Sequence, residues 1–312
     1  MKIFFSRPTT VVLKKPLLLL MAFLLSIFTI AFAQNMDTTI TSSRADAIRF
    51  IESIKELKPS TWWPNVKPSL LLQDIKGNIY EPLSLYEGSN TNFCSYAALS
   101  YMPLHDDPMG FAKFVLELYK NGKANYNKIL FNPSDKIRQA AGKLQFKGTL
   151  DIRPAEQMWF LCLANRFKGY VNIFNHNYDP GDENSFWAST NYGKFNRMIT
   201  KIFNYRITAR GSDLMHPWIK DLYSYISEKM KSGITILYLN NRYLRKKNHN
   251  KMKLGIPTHY VILLSFSRAA NGMINMVYWD YGFRTLRQLT DAAFKKIIFG
   301  VTHCTKKMST DE

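Results

Sequence analysis

"HYVILLSF" (259–266), "SRAANG" (267–272) and "MINMVYWDY" (273–281) form the stretch that decides the fold. Two apolar, β-branched and aromatic runs of strand length flank a loop ending in Asn-Gly, which is a strong hairpin signal. In an antiparallel hairpin centred on that loop, with strands 259–266 and 273–280, His259 falls opposite Asp280. A bulge would move that pairing by a residue or two and still leave Asp280 the nearest carboxylate. A carboxylate so placed accepts the imidazole N–H and fixes its tautomer. The competing reading is that Asp280 opens an ordinary turn, "DYG", and that His259 is a satisfied edge histidine.

Working back along the chain, "ITILYLN" (234–240) is another strand-sized run. Before it, from Cys94 to about Met230, the pattern is mostly helical: "CSYAALSYM", "MGFAKFVLELYKNG", "PSDKIRQAAGKL", "PAEQMWFLCLANRFKG", "FWASTNYGKFNRMITKIF" and "PWIKDLYSYISEKMKSG". Pro or Ser stands near several starts, and Gly122, Gly169 and Gly233 stand just past ends, the expected asymmetry. A closing amphipathic helix is expected near "TDAAFKKIIFG". Helices first and antiparallel strands second give an α+β domain with two lobes and no internal repeat.

Upstream, "RADAIRFIESIKEL" (44–57) has helical spacing with Ser43 as a cap, and the prolines of "KPSTWWPNVKPS" give an extended connector. The N-terminus reads as an export signal. Lys2, Arg7, Lys14 and Lys15 precede an apolar run from Pro16 to Ala33 ending in Ala31-Phe32-Ala33, with cleavage expected before Gln34. The run is long enough that an uncleaved membrane anchor is the alternative. The organisation is therefore signal peptide 1–33, N-terminal helix and connector 34–85, and main domain 86–312.

A composition 46% hydrophobic and 14% aromatic excludes a disordered chain. The formal charge of +19, less the four basic residues of the signal, leaves +15 on the mature chain. Such a surface favours anionic partners: acidic polymers, lipid headgroups or nucleic acid. "RYLRKKNHNKMK" (242–253) is the densest basic cluster, but only Tyr243 interleaves it, so no specific nucleic-acid binding is expected. Transient contact with a membrane surface stays open. "NHNYDPGDENS" (175–185) holds Asp179, Asp182 and Glu183 without the ordered spacing of a calcium loop, and CxxC and HExxH are both absent. It reads as a solvated surface loop, and no metal or cofactor is expected.

Cys94, Cys162 and Cys304 are the only cysteines, an odd number for an exported chain. Cys94, in "NTNFCSYAALSY" (90–101), stands where a turn-prone run meets the start of a compact helix. There the dipole and unpaired N–H groups favour a negative charge and offer a donor to an oxyanion. Cys162, between Leu161 and Leu163, reads as a core residue. Cys304 is either a loose tail thiol or a partner for Cys162. Of six histidines, His105, His176, His216, His249 and His303 lie in loop-like or turn-like surroundings. His259 opens an apolar strand, a rigid yet accessible place for a base.

Cys94, His259 and Asp280, in that order, with helices between the first two and a hairpin carrying the last two, resemble the papain-like cysteine peptidases. "CSYA" and "HYVILL" are similar to the Cys-x-x-Ala and His-Tyr/Phe-Val motifs of the bacterial C39-like branch. The resemblance covers residues 85–300. It implies a helical lobe carrying the nucleophile, an antiparallel sheet carrying base and carboxylate, and an exported hydrolase acting on amide bonds of a peptide or an anionic wall polymer. Transferases share the constellation, and a papain-like module without catalysis is the alternative from another class. Such enzymes place a glutamine about six residues before the cysteine. Gly88 stands there instead, which leaves Asn90 or Asn92 as the oxyanion-hole candidates. Ser95 stands where a glycine commonly follows the cysteine.

Overall fold

The computed structural model describes residues 42–88, 90–144, 151–167, 178–185, 188–241, 244 and 255–307. The expected signal peptide, the basic cluster at 242–253 (Leu244 apart), His176, His249 and Gly169 lie outside the described residues. The fold is α+β, with helices and an antiparallel sheet.

Four helices open the described chain. Helix α1 (Arg44–Glu52) starts from Ser43, whose hydroxyl accepts the Asp46 N–H, and stops short of the expected Leu57 at Ser53. Helix α2 (Pro68–Tyr80) was not expected; it begins inside the proline-bearing connector, because Pro at the first helical position costs no hydrogen bond. The rest of the connector packs on the domain, with Trp63 buried and its Nε1 donating to Leu118 O at 2.7 Å. Helix α3 (Cys94–Asp106) is buried on almost every side, and α4 (Pro108–Asn121) ends on Gly122 at φ 68°.

The remaining elements alternate more than the sequence suggested. A two-stranded ribbon, β1 (Ala124–Tyr126) with β2 (Ile129–Phe131), precedes α5 (Asp135–Ala140) and α6 (Pro154–Phe167). Helix α7 (Tyr192–Ile202) is shorter than the 186–203 reading because Asn191 caps it, accepting the Lys194 N–H. Then come β3 (Tyr205–Gly211), α8 (Leu222–Lys229), β4 (Ile234–Leu239), β5 (His259–Arg268), β6 (Ile274–Asp280), β7 (Phe283–Leu289), α9 (Asp291–Ile297) and β8 (Ile298–Lys306). Thus β3, β7 and β8 correct the three-strand expectation: the antiparallel sheet has the order β3-β8-β4-β5-β6-β7.

The sheet's two faces bury different cores. Ile236, Tyr238, Tyr260, Ile262 and Trp279 join the large helical core, whereas Leu237, Val261, Leu263, Met276 and Tyr278 pack under α8 and α9. This is the period-two alternation of a sheet covered on both sides. Residues of α1, the connector and α2 share the larger core with α3, so the segment before residue 86 packs into the same body. No helix among the described residues is long and apolar enough to cross a membrane.

Two sequence readings of side chains change. Cys304 is buried in β8, not loose in a tail, and it and Cys162 are both free thiols. His105 lies in the last turn of α3 and His303 in β8, not in loops.

Candidate active site

The β5–β6 hairpin turns through residues 269–273, with Gly272 at φ 79° and Ala269 N donating to Met273 O at 2.8 Å. This is a three-residue loop closed by a left-handed glycine. Its register differs from the one a loop centred on 267–272 would give. Ile262 pairs with Trp279, and a bulge lies between Leu263 and Ser265. Extended to the strand ends, that register puts Asp280 opposite Val261. His259 and Asp280 therefore meet as diagonal neighbours on one sheet face. Their contact survives the slip because both keep the parity of the α8/α9 side: His259 Nε2 lies 2.5 Å from Asp280 Oδ1.

Asp280 also opens the two-residue turn to β7, whose Tyr281 and Gly282 both have positive φ, 49° and 78°. The turn reading and the partner reading of Asp280 are both true. The tight turn carries a further consequence, since Tyr281 stacks on the His259 ring at 4.7 Å and an interplanar angle of 10°. With Nε2 on the carboxylate and one ring face on a tyrosine, the imidazole has its orientation fixed.

Cys94 approaches from the opposite side. It begins α3, where no side chain caps the helix, so the first N–H groups of the turn have no intrahelical partner. The thiol is 3.9 Å from Thr258 O, the residue before His259, and it lies close enough to the imidazole to help raise the His259 pKa. Since Nε2 faces Asp280, Nδ1 is the ring nitrogen left for the sulfur. Cys94, His259 and Asp280 thus lie together, and Cys94 alone of the three is as much as 8% exposed.

Charge follows from this geometry. Burial on its own pulls the His259 pKa down; the Asp280 charge and hydrogen bond, with the Cys94 contact, outweigh it and raise the pKa to about 10. At neutral pH the ring keeps its second proton. Burial pushes the Cys162 and Cys304 thiols far up, so these two are inert.

The segment before the cysteine is set by local bonds. Gly88 takes φ 86°, and a Cβ there would meet Thr91 Cγ2 at 2.9 Å, which makes a glutamine at this position strained. Thr91 Oγ1 donates to Glu87 O at 2.6 Å and accepts the Phe93 N–H at 3.3 Å, tying the turn to the helix start. Asn92 is half-buried; its Nδ2 donates to Ser185 O at 2.6 Å and its N–H to Glu183 O at 2.7 Å. Asn90 is exposed.

The 178–185 loop is therefore packed against the approach to Cys94. Glu183 is turned inward and accepts from Tyr178 Oη at 2.6 Å and Gly181 N at 2.8 Å, and Asp179 lies 3.6 Å from Lys136 Nζ.

Glu87 is the residue that the sequence did not flag. Buried, it brings one carboxylate oxygen within 4.8 Å of a His259 nitrogen and an Asp280 oxygen, which themselves lie as close to each other. Three such groups have the spacing to hold a cation. No pattern in "LYEGSN" announces Glu87. Tyr281 was foreseeable, because "DYG" after a strand is a tight-turn signal.

Comparison with known proteins gave no matching family model, no similar curated protein and no similar solved structure.

Proposed function

We propose that the protein is a cysteine hydrolase of papain-like organisation that cleaves amide bonds through Cys94, His259 and Asp280. The observation that carries this is His259 held between the thiol of a helix-start cysteine and a buried carboxylate. In the proposed reactive form His259 carries the proton and Cys94 attacks as the thiolate. The sulfur attacks the amide carbonyl carbon, the C–N bond breaks, and the His259 Nδ1 proton goes to the departing amine. The neutral ring then takes a proton from water, whose oxygen attacks the acyl carbon, and cleavage of the C–S bond restores the thiolate. Transfer to an acceptor other than water would make the same site a transferase. Backbone N–H groups at the start of α3 and the second Asn92 amide proton are the donors proposed for the oxyanion.

The basic composition supports an anionic or wall-derived peptide as substrate, and the N-terminal sequence supports export as the setting. A catalytically silent papain-like binding module is the second reading. It is favoured by the left-handed Gly88 where a glutamine would serve, and by the engagement of Asn92 with Ser185.

Thiol alkylation separates the two. With iodoacetamide at neutral pH, we expect Cys94 to react about 10²-fold faster than an ordinary thiol, and His259→Ala to remove that advantage. Cys162 and Cys304 should react only on unfolding. A Cys94 rate equal to that of an ordinary thiol, unchanged in His259→Ala, would sink the enzyme reading.

A further inference from the structure

Between β3 and α8 the chain holds three large apolar side chains outward, while Ser212 and Asp213 are partly buried. Leu214, Met215 and Trp218 are 80%, 71% and 103% exposed. Leaving such side chains in water forgoes roughly 1.5–3 kcal/mol each. The loop is nevertheless firmly built. Ser212 Oγ accepts from the N–H groups of Leu214 and Met215 at 3.2 and 2.8 Å, and Ser212 N donates to Phe299 O at 3.0 Å. Asp213 Oδ1 accepts from Tyr192 N at 2.9 Å and Tyr238 Oη at 3.1 Å. His216 Nδ1 meets Ile298 O at 2.8 Å, and its ring lies on Phe299 at 4.1 Å. These anchors hold three apolar side chains out in a fixed arrangement.

We propose that residues 214–218 are a docking element that inserts into the headgroup and upper acyl region of an anionic lipid bilayer. Arg210 and Lys220 bracket the loop, both exposed, and Lys295 of α9 lies near enough to act on the Asp221 carboxylate at its end. Asp213 is turned into the sheet, which leaves Asp221 as the acidic group at the loop's end. Each basic side chain near an anionic surface adds about 1 kcal/mol of attraction, and tryptophan is at home at the bilayer interface. A second copy of this chain is a poor occupant, because the +19 of the full sequence, +15 without the signal, repels its like.

The position of the loop gives it a use. Gly211 pairs with Gly300, Gly300 with Tyr238 and Tyr238 with Tyr260, so the loop leaves the sheet at the end where His259 begins β5. Three strand spacings, roughly 14 Å, separate them across the sheet. Docking there sets the Cys94 rim near the membrane surface. The docking itself does not depend on Cys94 being catalytic.

The mature chain, residues 34–312, would be floated with phosphatidylcholine vesicles with and without phosphatidylglycerol. We expect binding to need the anionic lipid, and the triple variant Leu214→Ser, Met215→Ser, Trp218→Ser to bind about tenfold more weakly. Its melting temperature and Cys94 alkylation rate should stay at wild-type values, since the replaced side chains are exposed. Trp218→Phe should keep the binding and lose a blue shift of tryptophan emission that vesicles induce in the wild type. Undiminished binding by the triple variant would overturn the proposal, as would no vesicle binding at low salt, or a dimer of the wild type that the triple variant lacks.

Discussion

Two groups of ionisable side chains, one between helices and one at the sheet rim, each enclose a carboxylate, and they differ in the chemistry open to them. Between α2 and α6, Arg153 donates through Nε to Glu156 at 2.8 Å and through Nη2 to Asn78 Oδ1 at 2.6 Å, and it reaches Ser84 O at 3.3 Å. Asp74 accepts the Ala155 N–H at 3.5 Å beside it. At the sheet rim, His259 stands between Asp280 and Cys94. Both groups seal a carboxylate against a cation. The difference is that a guanidinium never gives up its proton, whereas an imidazole can. The first group ties helices together. The second, set where a helix and two strands end, holds a proton that can be moved.

The largest expected effect breaks the comparison from the rim side. Asp280→Asn removes the charge that outweighs burial at His259, so the ring loses its second proton near neutrality. We expect the alkylation rate of Cys94 at pH 7 to fall by about 10²-fold. The Arg153→Ala variant should keep its Cys94 rate. It should instead lose about 2–3 kcal/mol in urea denaturation, less than a fully sealed pair would cost because Arg153 is partly exposed. A slow Cys94 in Arg153→Ala would show that the two groups are not separable.

Stability against pH sharpens the same contrast. His259 has its pKa raised from 6.5 to about 10, so the folded state binds a proton that the unfolded chain releases between those values. Its stabilising contribution is complete below about pH 6.5 and disappears as pH rises through about 10. Thermal melts across that window should show a decline in Tm for the wild type, and a flatter profile for His259→Ala. An equal decline in both would place its origin elsewhere.

How much of this the sequence showed depends on what each segment buries. The β5–β6 hairpin was legible because both strands are apolar and the turn ends in Asn-Gly. The meeting of His259 and Asp280 tolerated a wrong register because a slip that preserves parity keeps both on one face. Strand β7, "FRTLRQL", is exposed along most of its length, so it has no alternation to read. Strand β8 follows α9 with no turn residue between Ile297 and Ile298, and its apolar run reads as the end of the helix. Helix α2 was hidden by prolines, although Pro68 at a first helical position was a signal for it. Glu87 arrives beside His259 through the tertiary fold alone, and the exposure of Leu214, Met215 and Trp218 appears only once burial is known.

The smallest effect belongs to the helix-tying group. Burial, opposed by Arg153, raises the Glu156 pKa from 4.5 to about 7. Between these values the folded state holds a proton that the unfolded chain has released, so ionising Glu156 removes stability as pH rises through about 7. Glu156→Gln keeps the shape and a hydrogen-bond acceptor for Arg153 but has no proton to lose. We expect its Tm to fall less than that of the wild type between about pH 4.5 and 7, with the decline above pH 7 preserved because it belongs to His259. Asp74, raised from 3.8 to about 6 chiefly by burial, should leave a residual slope in the lower window. A variant that flattened both windows would mean that one proton network joins helix tie and rim, and the separation of holding from reacting would fall.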